Sequence, residues 1–386
     1  MKRLAIITTH PIQYYAPIFK LLSERRQIDI MVFYTWGEAA INKHDPGFNK
    51  TVVWDVPLLA GYPYQWAENT AKDPGSHHFK GIINPGLIRQ INLWQPDAIL
   101  AFGWGYSSHL KAIRYFKNKI PVFFRGDSNL LDEQKKINAV LKHLFLMWVY
   151  RHVDLAFYAG KNNKAYFKKY GLKDSQLSFA PHAIDNERFA VERTNDALHL
   201  RSKFEIGNDD FLILFAGKME EKKDPMLLLE AFLNINWPGA HLVFAGNGLL
   251  ENKLKAAAKN KGNVHFIDFQ NQSQMPALLQ ACDIFCLPSK GPNETWGLAV
   301  NEAMACGKAV IVSDKVGCAA DLVKNDENGY IFSACNVEDL KAKLLLLVAD
   351  KGKVKAFGEA SRRIIKDWNF TKIVQAIENK LLNEAH

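Results

Sequence analysis

Cysteine is scarce in this chain and confined to one half. Cys282, Cys286, Cys306, Cys318 and Cys335 are the five among 386 residues, and no two are spaced as a CxxC pair. An odd number without that spacing excludes a full disulfide framework and a cysteine-based zinc site, leaving small buried hydrophobes as the expected role. Long apolar runs are missing as well, since no stretch reaches the roughly 18 residues that a membrane span needs. The start, Met1-Lys2-Arg3 followed by Leu4-Ala5-Ile6-Ile7, carries the charge of a signal peptide. Its apolar run is too short and gives way at once to Thr8-Thr9-His10-Pro11, so it reads as a first strand, and the expected location is the cytoplasm. No Asp-x-Asp pair or other convincing metal-ligand set stands out, so neither a metal nor another cofactor is expected. RNA-recognition, zinc-finger and helix-turn-helix patterns are also lacking, which weighs against nucleic acid as a partner.

What the chain does have is a concentrated signal between residues 283 and 313. The run 283–287 reads as a buried parallel strand, 288–292 as a loop and 297–306 as a helix, with Gly307 as its stop before the next strand. That is a βαβ unit whose loop lies at the carboxyl end of a strand, where open α/β sheets bind ligands. The N–H groups of Gly297, Leu298 and Ala299 at the helix start would suit a phosphate. Glu294 stands ahead of the helix and Glu302 about one and a half turns inside it, able to accept two hydrogen bonds from a diol. Spacing alone equally allows a carboxylate that favours the helix dipole and a second, solvated glutamate.

At this length two domains are favoured over one. In the first half strands are predicted at 4–9, 28–35, 97–102, 121–124, 155–159 and 177–180, with helices between them. In the second half strands are predicted at 211–215, 241–245, 264–267, 283–287 and 309–313, with final helices at 337–347, 354–366 and 371–382. The pattern implies two parallel sheets covered on both faces. The predicted domains are 1–190 and 191–370, with a polar linker at 185–196 and the terminal helix 371–386 returning to the first. An excursion at 42–73 carries Phe48, Trp54, Tyr62, Tyr64 and Trp66, aromatic residues that suit either sugar rings or packing on their own domain.

Three motifs together resemble a known family. Glu294 and Glu302, the latter followed by Ala303-Met304-Ala305-Cys306-Gly307, resemble the paired glutamates of the retaining glycosyltransferases of family four, which have the two-domain GT-B fold. Gly217-Lys218, a short spacer and Lys223 resemble the glycine, basic residue and lysine after the first strand of the C-terminal domain. Asn328-Gly329 resembles the turn that closes the sheet. The resemblance implies an α/β, GT-B chain of two Rossmann-like domains that transfers a sugar from a nucleotide-sugar donor to a glycan, lipid-linked or small-molecule acceptor. A nucleotide-sugar-binding protein or an epimerase of the same fold is the alternative.

By that resemblance Glu302 would hold the ribose, Glu294 the donor sugar, Phe269 and Asn271 would border the base, and Lys218 and Lys223 would face the diphosphate, with Lys222 as an alternative to Lys223. Lys218 departs from the arginine common at its position and lacks the bidentate fork. On the acceptor side the resemblance is weaker, because Thr8-Thr9-His10-Pro11-Ile12-Gln13 replaces a glycine pair. His10, Gln13, Trp104 and Asp127 follow predicted strands there; Asp127 is the first choice for the acceptor hydroxyl, with capping of a helix near Asn129 as its structural alternative. The net charge of +9 fits a nucleotide-sugar phosphate or an anionic membrane surface. The segment 135–151 could lie on a membrane as a basic amphipathic helix, although its near-continuous apolar run favours a helix covering the sheet.

Overall fold

Short apolar strands alternate with helices throughout, and they build two parallel sheets. The computed structural model describes the chain except for residues 43, 46–49, 52, 132–138 and 384–386. Phe48 and residues 135–138 of the basic segment therefore lie outside the described residues.

The first sheet contains β1 (Arg3–Thr8), β2 (Asp29–Tyr34), β3 (Tyr64–Trp66), β4 (Ala98–Phe102), β5 (Val122–Arg125), β6 (Leu155–Tyr158) and β7 (Leu177–Phe179). Its order is β3-β2-β1-β4-β5-β6-β7, with every pairing parallel. The second contains β8 (Phe211–Ala216), β9 (Ala240–Ala245), β10 (Val264–Ile267), β11 (Ile284–Leu287), β12 (Ala309–Ser313) and β13 (Gly329–Phe332), in the parallel order β10-β9-β8-β11-β12-β13. Helices on both faces explain why strands such as Leu4 to Ile7 and Ile284 to Leu287 are apolar at every position and fully buried. In each sheet the strand order reverses once, beside β1 and beside β8, and the carboxyl ends there are the natural ligand positions.

Two strands of these sheets are absent from the sequence prediction, as is the short antiparallel pair His44–Asp45 and Lys50–Thr51. β3 lies inside the aromatic excursion and has only three residues. β13 opens on Gly329, where a Cβ would come within 2.0 Å of the Val310 carbonyl oxygen, so the position that makes the strand possible is also the one that hides it.

The chain divides into two units: Met1–Lys43, Pro57–His182 and Phe370–His386 form one, and His44–Val56 with Ala183–Asn369 the other. This differs from the predicted boundary at 190. The segment predicted as a linker is folded into the second unit, where the helix Asn186–Ala190 is tied down by the Asn186 amide donating to the carbonyls of Ile365 and Trp368, both at 3.1 Å. The aromatic excursion is also split. Tyr62 packs in the first unit, its hydroxyl 2.6 Å from that of Tyr34, whereas Trp54 lies with the second unit, 6.1 Å from the Phe269 ring. The last helix, Phe370–Asn383, buries Ile373, Val374, Ile377 and Leu381 and joins the helix Ala16–Arg25 of the first unit through Arg25 and Glu378 at 2.9 Å.

Candidate active site

Two loops at the reversal point of the second sheet carry the predicted donor residues other than Phe269 and Asn271, which follow β10. The loop after β8 starts at Gly217 and turns through Glu221–Lys223 into the helix Pro225–Ile235. The loop after β11 runs into the helix Leu298–Ala305 through Gly297, whose φ of 92° and crowding by Val316 and Leu287 leave room for glycine only. Between them Lys223 Nζ lies 2.7 Å from Glu294 Oε2, and Ser289 Oγ donates to the same oxygen at 3.0 Å. Both side chains of the pair are largely buried. Burial pushes the Glu294 carboxyl up, but Lys223 and the Ser289 hydroxyl outweigh it and hold the group below the ordinary carboxylate range. Glu294 is thus charged and fixed.

The two lysines differ in their partners. Lys222 pairs with Glu220 at 3.4 Å, whereas Lys223 reaches Glu294. Lys218 is half-buried on the same loop. Glu302 is 3% exposed, which overturns the solvated-glutamate alternative. The first helical turn at Leu298 and Ala299 offers N–H groups without intrahelical acceptors of their own.

The glycine loop Gly246-Asn247-Gly248, a weak signal in the sequence, has a structural role. Gly246 and Gly248 approach the backbone of Gly217 and Met219 so closely that a Cβ would stand 2.1 and 2.5 Å from their oxygens. Asn247 accepts from the Phe269 N–H at 3.0 Å and so links the predicted phosphate loop to the predicted base loop. Asn271 donates to the Val53 carbonyl at 2.7 Å, and Asp55 accepts from the Ser273 N–H at 3.1 Å. Neither Asn247 nor Ser289 was singled out by sequence; the alternation of glycine around Asn247 was the available signal.

In the first unit the carboxyl ends of β1, β4 and β5 hold the predicted acceptor residues. Asp127 caps no helix among the described residues; the next one begins at Ala139. Its Oδ1 lies 2.9 Å from His182 Nε2 and its Oδ2 accepts from Tyr15 at 3.3 Å. Burial would raise the Asp127 carboxyl, but the charge and hydrogen bond of His182, with Arg125 and Tyr15 behind, hold it down at about 2. Arg125 is buried and donates to the carbonyls of Ala180 and Pro181, fixing the chain that carries His182. His182, Tyr15 and Arg125 were not found by sequence, although Ala180-Pro181-His182 follows a strand as plainly as Asp127 does. His10 Nδ1 bonds Thr9 Oγ1 at 2.9 Å and its ring meets Trp36 edge-on, while Gln13 is half-buried on the same turn. Trp104 donates to the Tyr150 hydroxyl at 3.3 Å.

Metal-ligating side chains cluster once among the described residues, at Asp73, His77 and His78 on the surface of the first unit; the predicted donor residues belong to the second. Four of the five cysteines are buried, and all are free thiols; Cys335 is the exposed exception.

Known proteins share this architecture. Anabaena Alr3699/HepE in complex with UDP superposes with a TM-score of 0.74 at 16% identity, covering 99% of this chain and 100% of that one. The likeness defines the fold, GT-B. Residues 197–364 match the family model for glycosyl transferases group 1. A Campylobacter jejuni relative, N,N'-diacetylbacillosaminyl-diphospho-undecaprenol alpha-1,3-N-acetylgalactosaminyltransferase, is 41% identical over 92 residues, 24% of this chain and 23% of its own length. The UDP-Gal:alpha-D-GlcNAc-diphosphoundecaprenol alpha-1,3-galactosyltransferase of Escherichia coli is 24% identical over 253 residues, 64% of each chain. In both cases the match spans less than two thirds of the relative.

Proposed function

We propose that the protein is a retaining glycosyltransferase that moves a sugar from a UDP- or GDP-sugar to a glycan, lipid-linked or small-molecule acceptor in cell-surface polysaccharide or glycoconjugate synthesis. The observation that carries the reading is the buried Lys223–Glu294 pair at the carboxyl ends of β8 and β11, beside the start of the helix Leu298–Ala305. The relatives from Campylobacter jejuni and Escherichia coli, named for lipid-diphosphate acceptors, support the acceptor class.

In this reading Glu302 accepts the ribose hydroxyls from inside its helix, and Phe269 and Asn271 border the base. The donor sugar's hydroxyls donate to Glu294, already ionised and held by Ser289. As the sugar–phosphate bond breaks, negative charge grows on the departing diphosphate. Lys223, Lys218 and the N–H groups at Gly297 to Ala299 stabilise that charge, which lowers the barrier without a metal ion. Lys223 serves both partners: it neutralises Glu294 before the donor arrives and the phosphate afterwards. Asp127, fixed by His182 and Tyr15, contacts the acceptor hydroxyl, and the enzyme works in the cytoplasm at the inner face of an anionic membrane.

A thermal-shift panel of UDP-, GDP- and ADP-sugars tests the donor site, because the right donor must raise the melting temperature. Release of nucleoside diphosphate that depends on added acceptor tests transfer. Binding without acceptor-dependent release would favour a nucleotide-sugar-binding protein instead.

A further inference from the structure

The helix Ala139–Tyr150 is among the most apolar in the chain, yet it faces outward. Only Leu146, Val149 and Tyr150 are buried; they pack under it against Phe124, Tyr166 and Phe167. Val140 and Leu141 are each 69% exposed and Leu144 57%, with Phe145 and Met147 at 43%. The sequence favoured a helix covering the sheet, and that expectation fails for this outer face. Lipid-like side chains concentrated on one exposed helix need a partner surface.

The surroundings indicate which one. Arg114 stacks over the Trp148 ring at 5.1 Å on one flank. On the other, His143 lies 5.4 Å from the Tyr170 ring, with Lys169 on that same ring. Lys142 and Arg151 are exposed on and just beyond the helix itself. The three neighbouring helices, Ser107–Phe116, Ala139–Tyr150 and Lys161–Lys169, contain no acidic residue. Of the described carboxylates nearby, Asp154 is engaged by Lys117 and Asp174 by Lys168 and Lys164. An apolar centre whose rim is basic among the described residues complements lipid chains below a negatively charged headgroup layer. A second copy of the chain would bring two basic rims together, which is unfavourable.

We propose that the exposed face of the helix Ala139–Tyr150 docks on an anionic phospholipid bilayer. Phe145 on this face is 5.5 Å from Trp104, the acceptor-side tryptophan after β4, so the docking face is continuous with that loop. The acceptor would therefore be drawn from the bilayer, which selects the lipid-linked class and rests, in that step alone, on the transferase reading.

Sedimentation of the full chain with vesicles of phosphatidylglycerol and phosphatidylcholine tests the docking directly. Binding is expected to these vesicles, weakly to phosphatidylcholine alone, and to fall with added salt. Leu141→Asp combined with Leu144→Asp should reduce it at least about tenfold, and Arg114→Glu with Lys142→Glu at least about fivefold. These side chains are exposed, and an unchanged melting temperature checks that each variant is folded. Equal binding to phosphatidylcholine, no binding at all, or unaltered binding by both variants would overturn the proposal. So would a dimer in solution that the leucine substitutions dissociate. A chain that binds vesicles but releases no nucleoside diphosphate sinks the transferase reading and leaves the docking face; one that transfers sugar yet ignores vesicles does the reverse.

Discussion

The two units place a charged pair at the carboxyl ends of their strands in opposite ways. In the second unit Lys223 and Glu294 come from loops after adjacent strands, β8 and β11, at the point where the strand order reverses. In the first, Asp127 and His182 come from β5 and β7, with β6 between them, and Tyr15 joins from the turn after β1. The first arrangement leaves each charge one counter-charge and a route to a ligand. The second surrounds a single carboxylate with an imidazole, a hydroxyl and a buried guanidinium. In the proposed reading, a pair that exchanges partners is kept simple, whereas a group that holds one position is over-determined.

Breaking the simple pair should have the largest effect. Lys223→Ala would strand Glu294 in a buried position, costing about 3 kcal/mol of stability and roughly a hundredfold or more in turnover. Urea unfolding and nucleoside diphosphate release measure the two, and restoration of stability but not turnover by adding Glu294→Gln would separate them. Normal turnover in Lys223→Ala would remove Lys223 from the leaving-group site.

Asp127→Asn should lower kcat strongly while donor-nucleotide binding stays nearly intact, because the contact belongs to the acceptor side. A lower melting temperature with unchanged kcat would make Asp127 purely structural. Glu302→Ala should weaken nucleotide binding by about 1.5–3 kcal/mol, and calorimetry showing unchanged affinity would refute its ribose role.

Acid should expose two titrating groups of the first unit in turn. His109 is fully buried, and its imidazole is held down at about 4 by desolvation, while its nitrogens bond Gly103 and Thr35. Its contribution is present above its ordinary value and is lost as pH falls from about 6.5 towards 4. Asp127, held at about 2, contributes fully above its ordinary value near 4 and loses that contribution as pH falls towards 2. Melting curves across this range should therefore show two losses, and Asp127→Asn should flatten only the more acidic one. The smallest expected effect is that of EDTA, which should leave turnover unchanged; loss of activity restored by Mg²⁺ would sink the metal-free leaving-group site.

The donor side was the more legible because its groups lie in short, ordered segments: Gly217 to Lys223 follow one strand, and Glu294 to Glu302 enter one helix. Strand and helix periodicity located both segments. The acceptor-side network was not visible, because His182 and Asp127 sit in unremarkable turns and meet only through the sheet's register. Glu302's burial was equally hidden, since a glutamate one and a half turns into a helix has the same local sequence whether it faces water or the core. The outward helix misled for the converse reason: a run from Leu144 to Tyr150 looks like core by hydropathy, and only the packed structure shows which side the sheet takes.

The hydrogen bonds from Asn271 and Ser273 to Val53 and Asp55 bear on how the second unit can be isolated. A fragment beginning at Ala183 would contain both sheet and helices, yet the loop bearing Phe269 would lack partners supplied from residues made far earlier on the ribosome. During synthesis that strip must wait, already extruded, until the β10 loop emerges to receive it. A recombinant version of the unit would be completed by supplying 44–56 as a separate peptide, and its capture would report directly on the integrity of the loop.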